Sequence, residues 1–108
     1  MVKLLKVIPS TVKGKKYSAY FQLDNGKEKK INFGQAGAKD FTLINNKDSK
    51  FYEPDTSKRE KIKTAYRARH AKDPINNPLT PGSLSWHILW DLPSFPGSIK
   101  KFKNKFKL

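Results

Sequence analysis

The sequence predicts an α+β fold, with a small antiparallel N-terminal β-sheet packed by about three short C-terminal helices. Residues 1–35 contain short apolar and alternating segments around an Asn-Gly pair, which is typical of strands and a hairpin. Residues 55–106 instead show apolar residues at helical spacing, preceded by capping residues. Because 108 residues supply one core, we expect a single basic domain over 1–108.

The β-rich part begins with a strand predicted over residues 2–8, followed by a hairpin that turns at Asp24-Asn25-Gly26. A two-residue turn would split the apolar side chains of the hairpin between its faces, because a slip of one residue reverses every side chain. A three-residue turn, with Gly26 in the left-handed conformation, places them all on one face. These side chains are Tyr17, Ala19, Phe21, Ile31 and Phe33.

The opposite face of this hairpin is polar and basic, with one aromatic residue in its middle. Lys16, Tyr20 and Lys30 form the candidate basic strand face. Tyr20 could stack on a nucleic-acid base, or it could be an ordinary half-buried strand residue. The following segment, 33–38, is glycine-rich but lacks the Gly-Lys-Ser/Thr of a phosphate-binding loop. We interpret it as a turn that needs small residues.

The clearest helix is predicted over 55–72, with Ser57 and Glu60 at the spacing of a capping box and Asp73-Pro74 as the stop. Ile62 and Tyr66 begin a narrow apolar stripe. The rest of the helix is basic, which is typical either of a solvated surface or of a polyanion contact. Its candidate polyanion-binding residues are Lys58, Arg59, Lys61, Lys63, Arg67 and Arg69.

Two further helices are predicted near the C-terminus. Thr80 or Ser83 caps a short helix that starts with Pro81 and runs to Trp90, and Ser94 caps the last helix. In that last helix, one face is apolar, with Phe95, Ile99, Phe102 and Phe106. This face could cover the sheet, lie on a membrane or contact nucleic acid. The opposite face adds the candidate binding residues Lys100, Lys101, Lys103 and Lys105.

Composition narrows the class of protein. The chain has 23 Lys and Arg against 9 Asp and Glu, giving a formal charge of +14 that is spread over every segment. Such a surface attracts polyanions, of which nucleic acid is the commonest. The absence of cysteine excludes a disulfide framework and a thiolate metal site. No apolar run is long enough for a transmembrane helix, and lysines interrupt the N-terminal apolar stretch, so we expect no signal peptide.

Catalytic residues are not evident. His70 and His87 are the only histidines, and neither has a metal-ligand partner at the usual spacing. The acidic residues are scattered, whereas a carboxylate dyad or a metal centre needs them clustered. We therefore expect no enzyme, cofactor or metal. A metal-dependent nuclease is the leading enzymatic alternative, and it would require distant carboxylates to converge.

Five motifs follow one another along about residues 16–106, and none is specific alone. They are Phe33-Gly34, Asp40-Phe41-Thr42, Tyr66 to Arg69-His70, Ser85-Trp86 to Leu89-Trp90, and Ser98-Ile99. Their order resembles a family of small basic uncharacterised proteins of large double-stranded DNA viruses of algae and protists, and of some large phages. Several members place Arg between the Ser and Trp of the late motif. Here Ser85 and Trp86 are adjacent, so no role is carried to that position.

The resemblance implies a viral setting and no established activity, site or cofactor. Together with the charge, it leads us to expect a non-enzymatic structural component of a large DNA virus particle that binds a polyanion, most of all DNA, without sequence specificity. The alternative is a minor capsid or cement protein that contacts acidic surfaces of neighbouring capsid subunits. Expected partners are therefore nucleic acid, acidic capsid-protein surfaces and other virion proteins. The expected location is the virion and the nucleus or cytoplasm of the infected host cell, without secretion.

Overall fold

A computed structural model describes all residues, 1–108. Its N-terminal part is one three-stranded antiparallel sheet in the order β1-β2-β3, and helices follow. This arrangement confirms the predicted α+β fold. The strands are β1 (Lys3–Pro9), β2 (Lys15–Gln22) and β3 (Glu28–Gln35). The helices are α1 (Phe41–Ile44), α2 (Thr56–Arg69), α3 (Pro81–Leu84), which continues into a π-helical turn (Ser85–Leu89), and α4 (Phe95–Phe106).

The β2–β3 hairpin has the predicted register. Tyr17 lies opposite Phe33 and Ala19 lies opposite Ile31, so the apolar side chains share one face. The amide of Leu23 donates to the carbonyl oxygen of Lys27 across the turn, at 2.8 Å. The three-residue turn is therefore confirmed, and Gly26 has the left-handed φ of 81° that it requires.

Strand β1 forms the edge of the sheet beside β2, and it contains a bulge. Leu4 lies opposite Phe21, whereas Lys6 lies opposite Tyr20, so Leu5 is the extra residue between them. A bulge and lysine side chains are common protections of an edge strand against pairing with another chain.

One hydrophobic core lies between the sheet and the helices. The sheet supplies Leu4, Ala19, Phe21, Ile31 and Phe33, and the helical part supplies Phe41, Ile44, Leu84, Ile88, Leu89, Trp90 and Phe102. Helix α4 buries Phe102 completely and packs the rest of its apolar face partly against this core. Of the three roles left open for that face, the structure shows core packing. None of the helices is both long enough and apolar enough to cross a bilayer.

Helix α2 starts differently from the prediction. Asp55 is the capping residue, since its carboxylate accepts from the amides of Ser57 at 2.9 Å and Lys58 at 3.3 Å. The predicted capping box of Ser57 and Glu60 is wrong, because an acid two residues earlier already occupies the free amides. The helix ends at Arg69, three residues before the predicted end.

The starts of α3 and α4 agree with the prediction. The hydroxyl of Thr80 accepts from the amide of Ser83 at 3.2 Å, and that of Ser94 accepts from the amide of Gly97 at 3.1 Å. The π-helical turn after α3 was not predicted. Its wider bond, from the amide of Trp90 to the carbonyl oxygen of Ser85 at 3.1 Å, rotates the chain so that Trp90 is buried.

Candidate polyanion-binding surface

Three predicted binding residues from two helices converge on one carboxylate. The ammonium of Lys101 in α4 lies 3.0 Å from Oδ2 of Asp91. In α2, Nη2 of Arg67 lies 3.2 Å from Oδ1, and Nζ of Lys63 lies 3.9 Å from the same oxygen. We name these four residues the Asp91 cluster. Because three cations share one acid, the cluster keeps an excess of two positive charges between α2 and α4.

Backbone carbonyl groups and aromatic rings hold the cluster in place. Lys63 donates to the carbonyl oxygen of Asp91 at 2.6 Å, and Nε of Arg67 donates to that of Trp90 at 3.2 Å. The Arg67 guanidinium lies over the ring of Trp86, 4.6 Å from its centre. Burial, and then the neighbouring charge of Arg67, lowers the pKa of Lys63. Lys63 and Arg67 are therefore held in place and partly desolvated, whereas Lys101 is exposed.

The other predicted residues of the two helices have no acidic partner. Arg59 is half-buried, and its guanidinium donates to the carbonyl oxygen of Glu53 at 2.7 Å. The remaining ones are exposed on the surface, namely Lys58, Lys61, Arg69, Lys100, Lys103 and Lys105. Of the 23 Lys and Arg in the chain, only four lie within 4 Å of a carboxylate, and they are Lys16, Lys63, Arg67 and Lys101. The basic surface is therefore largely unneutralised.

Lys16 does not belong to the exposed face on which we expected it. Its ammonium lies 2.5 Å from Oδ2 of Asp40, and only 11% of its side chain is exposed. Asp40 caps α1, since its other carboxylate oxygen accepts from the amide of Leu43 at 3.0 Å and from the hydroxyl of Thr42. A buried carboxylate needs a counter-ion, so the expectation for Lys16 is corrected to a structural ion pair.

Tyr20 and Lys30 do lie together on the outer face of the sheet, with Lys6 as a third member that the sequence did not indicate. The ammonium of Lys6 lies 4.8 Å from the centre of the Tyr20 ring, and that of Lys30 lies 5.9 Å from it. Lys6 comes opposite Tyr20 only because of the bulge in β1. That irregularity has no clear signal in the sequence.

A cleft of about 580 Å³ lies on the other side of α2, between that helix, the ends of β2 and β3, and the π-helical turn. The predicted binding residue Arg69 lies in its wall, together with residues of four separate sequence motifs. Among them are Phe33, Gly34, Asp40, Tyr66, His70 and Trp90. The cleft has no signal in the sequence, because these motifs lie far apart in the chain.

An aromatic stack runs along one wall of the cleft. The ring of Tyr66 stacks on that of Trp90 at 4.3 Å and on that of His70 at 4.2 Å, measured between centres. Nδ1 of His70 lies 2.8 Å from Oδ2 of Asp73, which orients the imidazole. Burial raises the pKa of Tyr66 to about 12, so its hydroxyl stays protonated at neutral pH. No three His, Cys, Asp or Glu side chains lie together in a way that could hold a metal ion.

Comparison with known proteins adds one finding. Residues 5–52 match a family model described as a family of unknown function (DUF5754). The matched segment contains most of the sheet, together with α1, and it stops before α2 and the Asp91 cluster. Neither the curated proteins nor the solved structures contain a match to the chain.

Proposed function

We propose that this protein is a non-enzymatic binder of nucleic acid, above all double-stranded DNA, and that the joined basic surfaces of α2 and α4 make the contact without sequence specificity. The observation that carries the proposal is the Asp91 cluster. It links α2 and α4 through a single acid that leaves two positive charges unneutralised, and both helices carry further exposed cations on their other faces.

The kind of cation supports contact with phosphate rather than with bases. Most of the exposed groups on these helices are lysines, which act as flexible point charges and lack the planar fork that reads a guanine edge. Lysine contacts to phosphate position a protein on a duplex and carry no sequence information. The expected binding is therefore electrostatic and independent of sequence.

The biological setting belongs to the same proposal and rests on the family resemblance of the motifs. In that setting the protein is a component of a large DNA virus particle that holds the packaged genome. It would be found in the virion and, during infection, in the nucleus or cytoplasm of the host cell. No catalytic step is part of the proposal.

A second candidate function is that of a minor capsid or cement protein. The N-terminal part favours it, because four large apolar side chains there are exposed: Met1 at 77%, Leu5 at 48%, Ile8 at 37% and Val12 at 42%. Exposed apolar groups beside lysines suit a contact with an acidic protein surface. Such a protein needs no affinity for DNA at physiological salt.

The test compares two variants of equal charge. The helix variant replaces Lys58, Lys61, Lys100 and Lys103 by Gln, and the control variant replaces Lys13, Lys27, Lys29 and Lys47 by Gln. All eight lysines are exposed and have no acidic partner. Fluorescence anisotropy with a labelled 20-base-pair duplex of random sequence, in 100 mM NaCl, measures the affinity of each.

We expect the helix variant to lose at least about tenfold more affinity than the control variant, because only its lysines belong to the two helices that the Asp91 cluster links. Equal losses would show that net charge alone attracts the duplex and would contradict the proposed surface. Weak binding by the parent protein that neither variant changes would favour the cement-protein alternative.

A further inference from the structure

We infer that the cleft beside α2 binds a nucleotide unit, that is, a planar base together with its phosphate. This goes beyond the duplex-binding surface, because α2 directs different residues to the two places. Lys63 and Arg67 contact Asp91, whereas Tyr66 and Arg69 line the cleft. The nucleotide can be free or can be one residue of a single strand.

The size and the walls of the cleft suit a small planar ligand. Its volume of about 580 Å³ is within the range of small-molecule sites. Phe33, Leu89 and Trp90 are almost fully buried and form its floor, and the half-buried Ile62 and Tyr66 of α2 give it an apolar side. These residues are held by the core, so the apolar wall is preformed.

The aromatic stack provides a place for a base. Trp90, Tyr66 and His70 lie one on another, and the imidazole is the last ring of the stack. One face of that imidazole is covered by Tyr66, and 39% of the side chain remains exposed. Its hydrogen bond to Asp73 fixes the ring plane. A nucleobase would continue the stack as a fourth ring, an interaction that every base can make.

The charges in the cleft provide a place for a phosphate. Asp40 is paired with Lys16, whereas Asp73 accepts a hydrogen bond from Nδ1 of His70 and keeps its charge. The four Lys and Arg of the lining still exceed its two acids by two charges, and three of them have no acidic partner, namely Lys15, Lys39 and Arg69. Lysine and arginine side chains that are not neutralised favour a dianionic phosphate over a neutral ligand. The ring stack and the cations together therefore suit a nucleotide better than either a nucleoside or a simple phosphate.

The experiment titrates the full chain with four probes and follows binding by calorimetry and by amide chemical shifts. The probes are adenosine 5′-monophosphate, ribose 5-phosphate, adenosine, and single-stranded dA5. Three variants accompany the parent protein: Arg69→Gln removes a cation, His70→Ala removes the last ring, and Lys47→Gln is the control. Lys47 is exposed and belongs neither to the lining nor to the proposed duplex-binding surface. Thermal unfolding checks that each variant is folded.

We expect adenosine monophosphate to bind about tenfold or more tightly than ribose 5-phosphate, because base stacking adds to the phosphate contact. Arg69→Gln and His70→Ala should each weaken it at least about threefold, while Lys47→Gln leaves it unchanged. If dA5 binds more tightly than adenosine monophosphate and shifts the same amide signals, the natural ligand is one nucleotide of a single strand. If adenosine monophosphate binds more tightly, the natural ligand is a free nucleotide.

Equal affinities for adenosine monophosphate and ribose 5-phosphate would overturn the inference, because no base would then be bound. Shifts confined to residues outside the cleft, or losses equal in all three variants, would overturn it too. If the His70→Ala variant does not fold, the Arg69→Gln variant and the comparison of the four probes still test the inference. The duplex-binding proposal is tested by lysines outside the cleft, so either proposal can fail without the other.

Discussion

Gly34, at the end of β3, is a residue that both the backbone and the packing require. Its φ of 78° is in the left-handed region, where side chains are unfavourable. A Cβ at this position would lie 2.9 Å from Cδ1 of Leu89 and 3.1 Å from Cβ of Lys16. The sequence indicated a turn with small residues here. It did not indicate that the π-helical turn packs directly on this glycine.

Replacing Gly34 by Ala should lower the free energy of unfolding by about 2–4 kcal/mol, since backbone strain and overpacking add. Gly37→Ala is the matched control: its φ is 81°, and a Cβ there meets nothing within 4 Å. That change should cost only about 1–2 kcal/mol. Urea unfolding of both variants measures the difference. Equal costs would contradict the close packing of Leu89 on Gly34.

His87 is a buried residue whose protonation opposes folding. Its Nε2 donates to the carbonyl oxygen of Ile75 at 2.9 Å, and Phe102 and Phe106 pack around its ring. Burial lowers the pKa of His87 below its usual 6.5, and the charge of Lys105 acts in the same direction. The sequence could not assign this role, because it depends on burial.

Because the folded pKa of His87 is lowered, the unfolded chain binds the proton more tightly. The contribution of His87 to stability is therefore fully present above pH 6.5 and is lost as the pH falls through the folded pKa, by at most about 1.4 kcal/mol per pH unit. Urea unfolding at pH 7.5, 6.5 and 5.5 measures the slope. His87→Gln keeps the donor and should flatten it; an unchanged slope would show that other groups cause the pH dependence.

Among the elements, those with strong local signals were predicted correctly. Asn25-Gly26 and the single apolar face fixed the register of the hairpin, because only one turn length keeps Tyr17 and Phe33 together. Thr80 and Ser94 marked the starts of α3 and α4, because capping depends on residues only three apart. These features depend on interactions between residues that are close in the chain, so they can be predicted from the sequence.

The partners of the cations could not be predicted, because they depend on contacts between distant elements. Asp91 lies 28 residues from Lys63 and 24 from Arg67, and Asp40 lies 24 from Lys16. Scattered acids at such separations show no pattern until the helices pack. The candidate residues on α2 and α4 were named from charge alone, and their meeting around one acid is a finding of the structure.

Asp91→Asn should separate stability from binding. Removing the carboxylate leaves three cations close together, two of which, Lys63 and Arg67, are partly buried, so we expect the free energy of unfolding to fall by about 2 kcal/mol. Duplex affinity should rise, because the same cations become available to phosphate. Urea unfolding and anisotropy measure the two effects. Asp48→Asn, at an exposed acid without a cationic partner, is the control for the change in net charge. If the free energy of unfolding and the duplex affinity both fall further than in the control, the proposed arrangement of cations around Asp91 is contradicted.

At the scale of the whole molecule, the main feature is the large positive charge of the surface. The protein measures 46 × 26 × 22 Å and carries a formal charge of +14, with most of its cations unpaired. Such a surface repels itself, and salt screens the repulsion within about 8 Å at 0.15 M. The small core between one sheet and its helices must outweigh this repulsion.

Raising NaCl from 20 to 200 mM should therefore raise the midpoint of thermal unfolding of the free protein. The rise should be smaller in the variant that replaces Lys13, Lys27, Lys29 and Lys47 by Gln, because less repulsion remains to be screened. Circular dichroism follows both transitions. A midpoint that falls with salt would indicate that attractive ion pairs, rather than repulsion, dominate the surface.

Salt should stabilise the free protein but weaken its binding to DNA. The salt dependence of the DNA affinity tests the central claim most directly. The measurement is the affinity for a random-sequence duplex at 50, 100 and 200 mM NaCl. If the basic surface binds phosphates, the logarithm of the affinity falls linearly with the logarithm of the salt concentration, with a slope of about −0.9 for each phosphate contacted. Five or more contacts predict a loss of at least about 100-fold over this range. A loss below about threefold would contradict the account.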